Sequence, residues 1–416
     1  MNAMHRRTLD NGLRVAVVPI PGLRSAAALL AIEAGQWFEP AGRPGVARLA
    51  AQALLRGTAD RDAAAWADAL DALGASARLD VGSHAAVFSG QCLIGDLEPY
   101  LGLVADALLR PAFAAPEVEL VRAQTIAALE EAAKDTRAVA ERSWRELAYP
   151  VGHPFHTRPS GDLAVVRSAT AAELAAFHGA AVHPGGSVLV IAGGIESGPA
   201  FDAAERAFGG WRGAARAATP PPPTVTLAAI ARRVDELPDK TQSDVVLGWL
   251  GLPRTDPRFT RAQVANMVFA ADTFASRAGH VVRDELGLAY YVFSTIAGTL
   301  GQGPWVVRMG VNPENVERAI AETLNELRKI HDADIADDDL ALARDKLVSE
   351  LDVALESPAG VAAMVLEAEL FGLGEDHFDR YPRELRAVTK DEVVEIAREF
   401  LTVDRYALAI AGPGDH

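Results

Sequence analysis

The chain has 416 residues, half of them hydrophobic by type, and a formal net charge of −16. That length suggests two to four domains of about 100–200 residues each, and the negative balance disfavours non-specific attraction to phosphate backbones or anionic membranes, so nucleic acid is not an expected partner. A single cysteine, Cys92, excludes an intramolecular disulfide and a cysteine-rich zinc module, and within its apolar stretch it reads as a small buried thiol.

In chain order, the N-terminus runs into polar Thr8-Leu9-Asp10 with no apolar leader. Strands are predicted at Leu13 to Val18 and Ser25 to Glu33. Helices follow at about Val46 to Leu55, Ala63 to Leu73, Ile94 to Leu109 and Pro116 to Ala133. Ala217-Ala218-Thr219-Pro220-Pro221-Pro222-Pro223-Thr224 forbids helix or central strand and marks an extended linker. Beyond it come a strand at Ser243 to Leu250, a helix at Phe259 to Phe269, and a helix at Phe274 to Leu286 with Gly287 at its C′ position. Strands at Ala289 to Ala297 and Val306 to Val311 precede helices at Glu314 to His331, Asp337 to Glu356 and Val361 to Phe371. No segment reaches the roughly 18 apolar residues of a membrane span, so a soluble cytoplasmic protein is expected.

The linker lies near the midpoint, which invites a search for an internal repeat. Sliding the sequence by 219 positions lays Thr170 to Gly193 on Thr389 to Gly412 without a gap, with six identities in 24 positions. Each copy has a threonine N-cap, a glutamate three residues on (Glu173, Glu392), an amphipathic helix and an apolar strand ending in glycine. The expected fold is therefore α+β, with two homologous halves, each a mixed or antiparallel sheet flanked by helices. The domain boundaries expected are 1–216, a linker at 217–224, and 225–416.

Several stretches together resemble the M16 (pitrilysin/insulinase) metallopeptidases. These are Leu9-Asp10-Asn11-Gly12-Leu13-Arg14-Val15, Glu33 to Pro40 through Gly45-Val46-Ala47, Leu54-Leu55-Arg56-Gly57-Thr58, Tyr149-Pro150 with His153-Pro154-Phe155, and Val282 to Tyr290 after Ser276-Arg277. In that family two histidines four apart on one helix bind zinc, and the glutamate between them activates water. Aligning the flanks puts Arg48, Ala51 and Gln52 in those places, and the family's third ligand falls near Ala127 or Ala128. An arginine is a permanent cation with no acceptor and repels zinc; alanine has no ligating atom, and one amide oxygen is too weak to hold the metal alone. The tight histidine pair His153/His156 is interrupted by Pro154 and reads as a loop turn, and His178/His183 as a helix surface and the turn after it.

Arg283 and Tyr290, seven apart, match positions at which family members carry an arginine and a tyrosine that hold the scissile carbonyl. Both groups can donate hydrogen bonds to an oxygen on which negative charge develops. Apart from the resemblance, Arg283 reads as a helix-end cation and Tyr290 as a half-buried strand aromatic. The resemblance implies a zinc-free subunit of a heterodimeric endopeptidase, paired with an M16 subunit that carries an intact His-x-x-Glu-His and its zinc, and together enclosing an unfolded peptide. The alternative is a structural or peptide-holding protein of the same fold without proteolysis, like the core proteins of complex III.

Overall fold

The computed structural model describes residues 4–213 and 221–414, so residues 217–220 of the expected linker lie outside the described residues. Pro221 to Thr224 adopt neither helix nor strand, and the Pro223 carbonyl lies 3.2 Å from His153 Nε2.

The first half carries β1 (His5–Thr8), β2 (Arg14–Pro19), β3 (Ser25–Ile32), α1 (Val46–Leu54), α2 (Ala63–Ala72), β4 (Ser76–Val81), β5 (Ala86–Leu93), α3 (Leu97–Leu109), α4 (Ala115–Ala132), α5 (Thr136–Ala148), α6 (Leu163–Ser168), α7 (Ala171–Ala181), β6 (Val188–Gly193) and α8 (Ser197–Phe208). The second half carries β7 (Ala231–Glu236), β8 (Ser243–Leu250), α9 (Phe259–Phe269), α10 (Arg277–Gly279), β9 (Ala289–Ile296), β10 (Pro304–Val311), α11 (Val316–His331), α12 (Asp337–Ala354), α13 (Pro358–Phe371), α14 (His377–Ala387), α15 (Lys390–Phe400) and β11 (Ala407–Gly412).

These form two mixed sheets, ordered β1-β2-β6-β3-β5-β4 and β7-β11-β8-β10-β9. Apart from β1, the two orders are the same arrangement. In each sheet the last strand of the half pairs parallel with the first of the common strands (β6 with β2, β11 with β7) and antiparallel with the second (β3 and β8). The central strands β3, β6, β8 and β11 are buried almost throughout, which is why their sequences are continuous apolar runs rather than alternating ones. The repeat seen in the sequence therefore extends to the whole α+β unit, with α7/β6 and α15/β11 holding the 219-residue offset.

The compact units are not contiguous in the chain. One comprises residues 1–129, 159–220 and 352–374, and the other 130–158, 221–351 and 375–416. Helix α13, from the second half, covers β3 and β6 of the first sheet, and α5, from the first half, covers β11, β8 and β7 of the second. By the offset these two helices are counterparts, so the halves have exchanged equivalent elements. Several polar links hold α5 to its sheet. Thr136 Oγ1 donates to Asp244 at 2.5 Å, Ser143 Oγ to Asp235 at 2.6 Å, and Trp144 Nε1 to the Ala407 carbonyl at 3.1 Å.

Two local predictions needed correction. The helix expected from Phe274 to Leu286 begins only at Arg277, because Asp272 accepts the backbone N–H groups of Phe274 and Ala275 at 2.8 Å each and holds that segment in a turn. After α10 the chain continues as a π-helical stretch, His280–Glu285, with Leu286 N donating to the Val281 carbonyl at 3.1 Å. In addition, only the second copy of the repeat has a complete capping box. Thr170 caps α7, but the Glu173 carboxylate engages Arg43 at 2.6 Å.

Candidate functional site

Helix α1 lies where the metal-binding helix was expected. Its N-terminus is capped by Glu39, whose carboxylate accepts from Gly45 N at 2.7 Å and Ala47 N at 2.9 Å. Those two bonds and the helix dipole favour the anion, yet burial outweighs them and pushes the Glu39 carboxyl up to about 7. Ala51 is buried in the core of this unit, and Arg48 and Gln52 are half-buried on the neighbouring face. Helix α4 runs alongside: the Thr125 hydroxyl lies 3.1 Å from Gln52 Oε1 and 2.8 Å from its own helix's Val121 carbonyl. Ala128, one turn on from Thr125, shares that side of α4 and is exposed, as is Ala127. The two helices from which the ligands were expected thus come together, but the juncture holds a cation, two small apolar groups and one amide in contact with a hydroxyl. This donor set does not suit zinc, which takes three or four thiolate, imidazole or carboxylate ligands. Among the described residues no three His, Cys, Asp or Glu side chains gather in a group able to hold a metal ion.

The histidines of the two pairs noted in the sequence each lie against a backbone carbonyl. His153 Nδ1 accepts from Phe155 N at 3.1 Å, so its proton sits on Nε2, 3.2 Å from the Pro223 carbonyl. His156 Nδ1 lies 2.8 Å from the Tyr149 carbonyl, and His178 Nε2 lies 2.7 Å from that of Leu108. Burial lowers the pKa of His153 and His178, which keeps both rings neutral. Cys92 is buried as expected, with its thiol pushed up to about 12 by desolvation and by Asp96.

Arg283 and Tyr290 belong to the other unit and meet directly: Arg283 Nε donates to the Tyr290 carbonyl at 3.1 Å. Tyr290 is not the half-buried aromatic its alternation suggested. Gly310 pairs with Tyr291 and Val311 with Ala289, so Tyr290 is the extra residue of a β-bulge, and 66% of its surface is exposed. Bulges re-aim a side chain at a sheet edge, and β9 is the edge strand here. Tyr291 anchors the bulge. Its hydroxyl donates to Asp244, the Arg137 guanidinium lies 4.4 Å over its ring, and burial together with the Asp244 carboxylate pushes its phenol pKa upward. Gly310 is required opposite, since a Cβ there would fall 2.7 Å from Gln242 Nε2 and closer still to the Tyr291 ring. Arg283 is held by Asp284 Oδ1 at 2.6 Å and lies 4.5 Å from the centroid of Phe274.

Sequence reasoning did not single out Asp244, Tyr291, Arg137, Phe274 or Glu39. Asp244 did carry a signal, being the one charge in an otherwise apolar strand and only 5% exposed. Arg137 and Thr136 carried none, because they reach Asp244 from a helix more than a hundred residues away.

Residues 14–153 match the family described as Insulinase (Peptidase family M16), and residues 168–347 match the Peptidase M16 inactive domain. A protein of Streptomyces coelicolor named as an uncharacterised zinc protease is 26% identical over 99% of this chain and 90% of its own length. A zinc protease of the same designation from Bacillus subtilis is 23% identical, with 98% of each chain covered. Among solved structures, a peptidase M16 inactive domain from Pseudomonas fluorescens superposes with a TM-score of 0.91 at 23% identity, covering 99% of this chain and 98% of its own. A protease from Helicobacter pylori gives 0.92 at 17%, covering 99% and 100%.

Proposed function

This chain belongs to the M16 peptidase family, and from that premise we propose that it is the zinc-free subunit of a heterodimeric M16 endopeptidase. The observation that carries this reading is an asymmetry between the two units. The α1–α4 juncture presents Arg48, Ala51, Gln52 and Ala128, while Arg283 and Tyr290 stand at a bulged strand edge with their neighbours pinned around them. The Tyr291–Asp244–Arg137 contacts fix the strand beside the bulge and leave Tyr290 projecting outward.

In this reading the partner, an M16 subunit with an intact His-x-x-Glu-His, carries the zinc and activates water. This chain contributes half of a peptide-enclosing chamber and two hydrogen-bond donors. Arg283 Nη2 and the Tyr290 phenol take the substrate carbonyl and strengthen their hold as negative charge develops on its oxygen. The substrate is an unfolded peptide, because an extended backbone is what a carbonyl-binding pair at a strand edge can engage.

The test is to purify the chain alone and with a His-x-x-Glu-His partner, then measure zinc content and hydrolysis of an unstructured peptide. The isolated chain is expected to hold no stoichiometric zinc and to be inactive, and the pair to be active. In the active pair, Arg283→Ala or Tyr290→Phe should cut turnover about tenfold or more, as loss of an oxyanion donor does. Stoichiometric zinc or hydrolysis in the isolated chain would overturn the proposal. Rates unchanged by both substitutions would favour the peptide-holding protein without proteolysis.

A further inference from the structure

Phe274 is 68% exposed, and its backbone is not free to fold it away. Asp272 accepts from Phe274 N and Ala275 N, its carboxylate pairs with Lys346, and its carbonyl accepts from Ser276 Oγ. One exposed aromatic ring is ordinary on a protein surface, and what singles Phe274 out is its place beside Arg283 on a backbone fixed by Asp272. The ring lies against the Arg283 guanidinium, 4.5 Å from centroid to Cζ. Arg283 spends Nε on the Tyr290 carbonyl and Nη1 on Asp284, which leaves Nη2 without a partner among the described residues. A cation with free donors therefore sits directly beside an open aromatic surface.

We propose that Phe274 is a specificity-determining residue, forming an apolar subsite next to the carbonyl-binding pair. The proposal rests on the reading of Arg283 and Tyr290 given above. An extended peptide advances about 3.3 Å per residue. When one of its carbonyls accepts from Arg283 Nη2, the side chain of a neighbouring residue falls within reach of the exposed part of the Phe274 ring. An aliphatic or aromatic side chain there removes its own surface and that of the ring from water, whereas a serine or glycine gains nothing. The preferred substrates are then unfolded peptides bearing a large apolar residue beside the bound carbonyl.

The experiment uses the full-length chain and two fluorescein-labelled unstructured peptides, one with leucine and phenylalanine at alternate positions and one with serine in their place. Binding is followed by fluorescence anisotropy. The unaltered chain is expected to bind the apolar peptide about tenfold more tightly. Phe274→Ala should abolish that preference by weakening the apolar peptide alone, and Phe274→Trp should keep it. Arg283→Ala should weaken both peptides by a similar factor. If Phe274→Ala keeps the preference while Arg283→Ala still weakens both, the subsite is overturned and the carbonyl-binding pair stands. If Arg283→Ala alters neither peptide, the pair fails and the subsite fails with it. Circular dichroism of each variant separates these outcomes from loss of fold.

Discussion

Glu39 shows how much one residue at the head of α1 controls. Its folded pKa of about 7 lies above the ordinary carboxyl value of 4.5, so the neutral form is the one the fold prefers. The stability this contributes is complete below about pH 4.5 and is lost as pH rises through about 7, when the buried carboxyl ionises. A rise of that size corresponds to roughly 3 kcal/mol. Glu39→Gln keeps an oxygen acceptor for Gly45 N and Ala47 N but has nothing to ionise. In thermal melts, the stability of the variant relative to the unaltered chain should rise between pH 5.5 and pH 8. A difference that stays flat across that range would mean that Glu39 titrates where an exposed carboxylate does. That Arg48, Ala51 and Gln52 carry no imidazole, thiolate or carboxylate is legible in the sequence, because the donor chemistry of a side chain is local. The Thr125 hydroxyl beside Gln52 is not, since it comes from another helix.

Among the elements, the sequence was most informative where period and punctuation coincided. Strand Ser243–Leu250 and helix Phe259–Phe269 fall as predicted, and α1 differs from expectation by a single residue. The bulge at Tyr290 was hidden because it depends on Gly310 across the sheet rather than on its own composition, and no residue pattern in His280–Glu285 marks the π-helical stretch before it. The placement of α5 was hidden for a stronger reason. Nothing in Thr136–Ala148 announces that its apolar face belongs with strands formed from residues 231–412. Trp144 is 0% exposed and caps that interface through the Ala407 carbonyl, with Tyr149 edge-on at 6.0 Å. Trp144→Ala should cost about 3–5 kcal/mol, read as a fall in the urea midpoint. A loss below about 1 kcal/mol would show that α5 does not belong to the core of the second unit.

At the scale of the whole molecule, the duplication was legible from one gapless repeat, and the exchange of α5 and α13 was not, since the two halves look self-sufficient in sequence. Residues 1–216 expressed alone would carry an orphaned α5 and a first sheet lacking α13, with β3 and β6 uncovered on that face. That fragment should aggregate or bind a hydrophobic dye, as should residues 225–416, while co-expression of the two should restore a soluble complex. A monomeric, cooperatively melting 1–216 fragment would contradict this. The exchange also sets a schedule for synthesis. The strands of the first sheet are complete at Gly193, but the helix that covers them ends at Phe371. At roughly 5–20 residues per second, the ribosome leaves that apolar face open for on the order of 10–40 s. Throughout that interval the nascent chain is a client for whatever chaperones attend the exit tunnel, and the tempo of translation becomes part of how this protein reaches its fold.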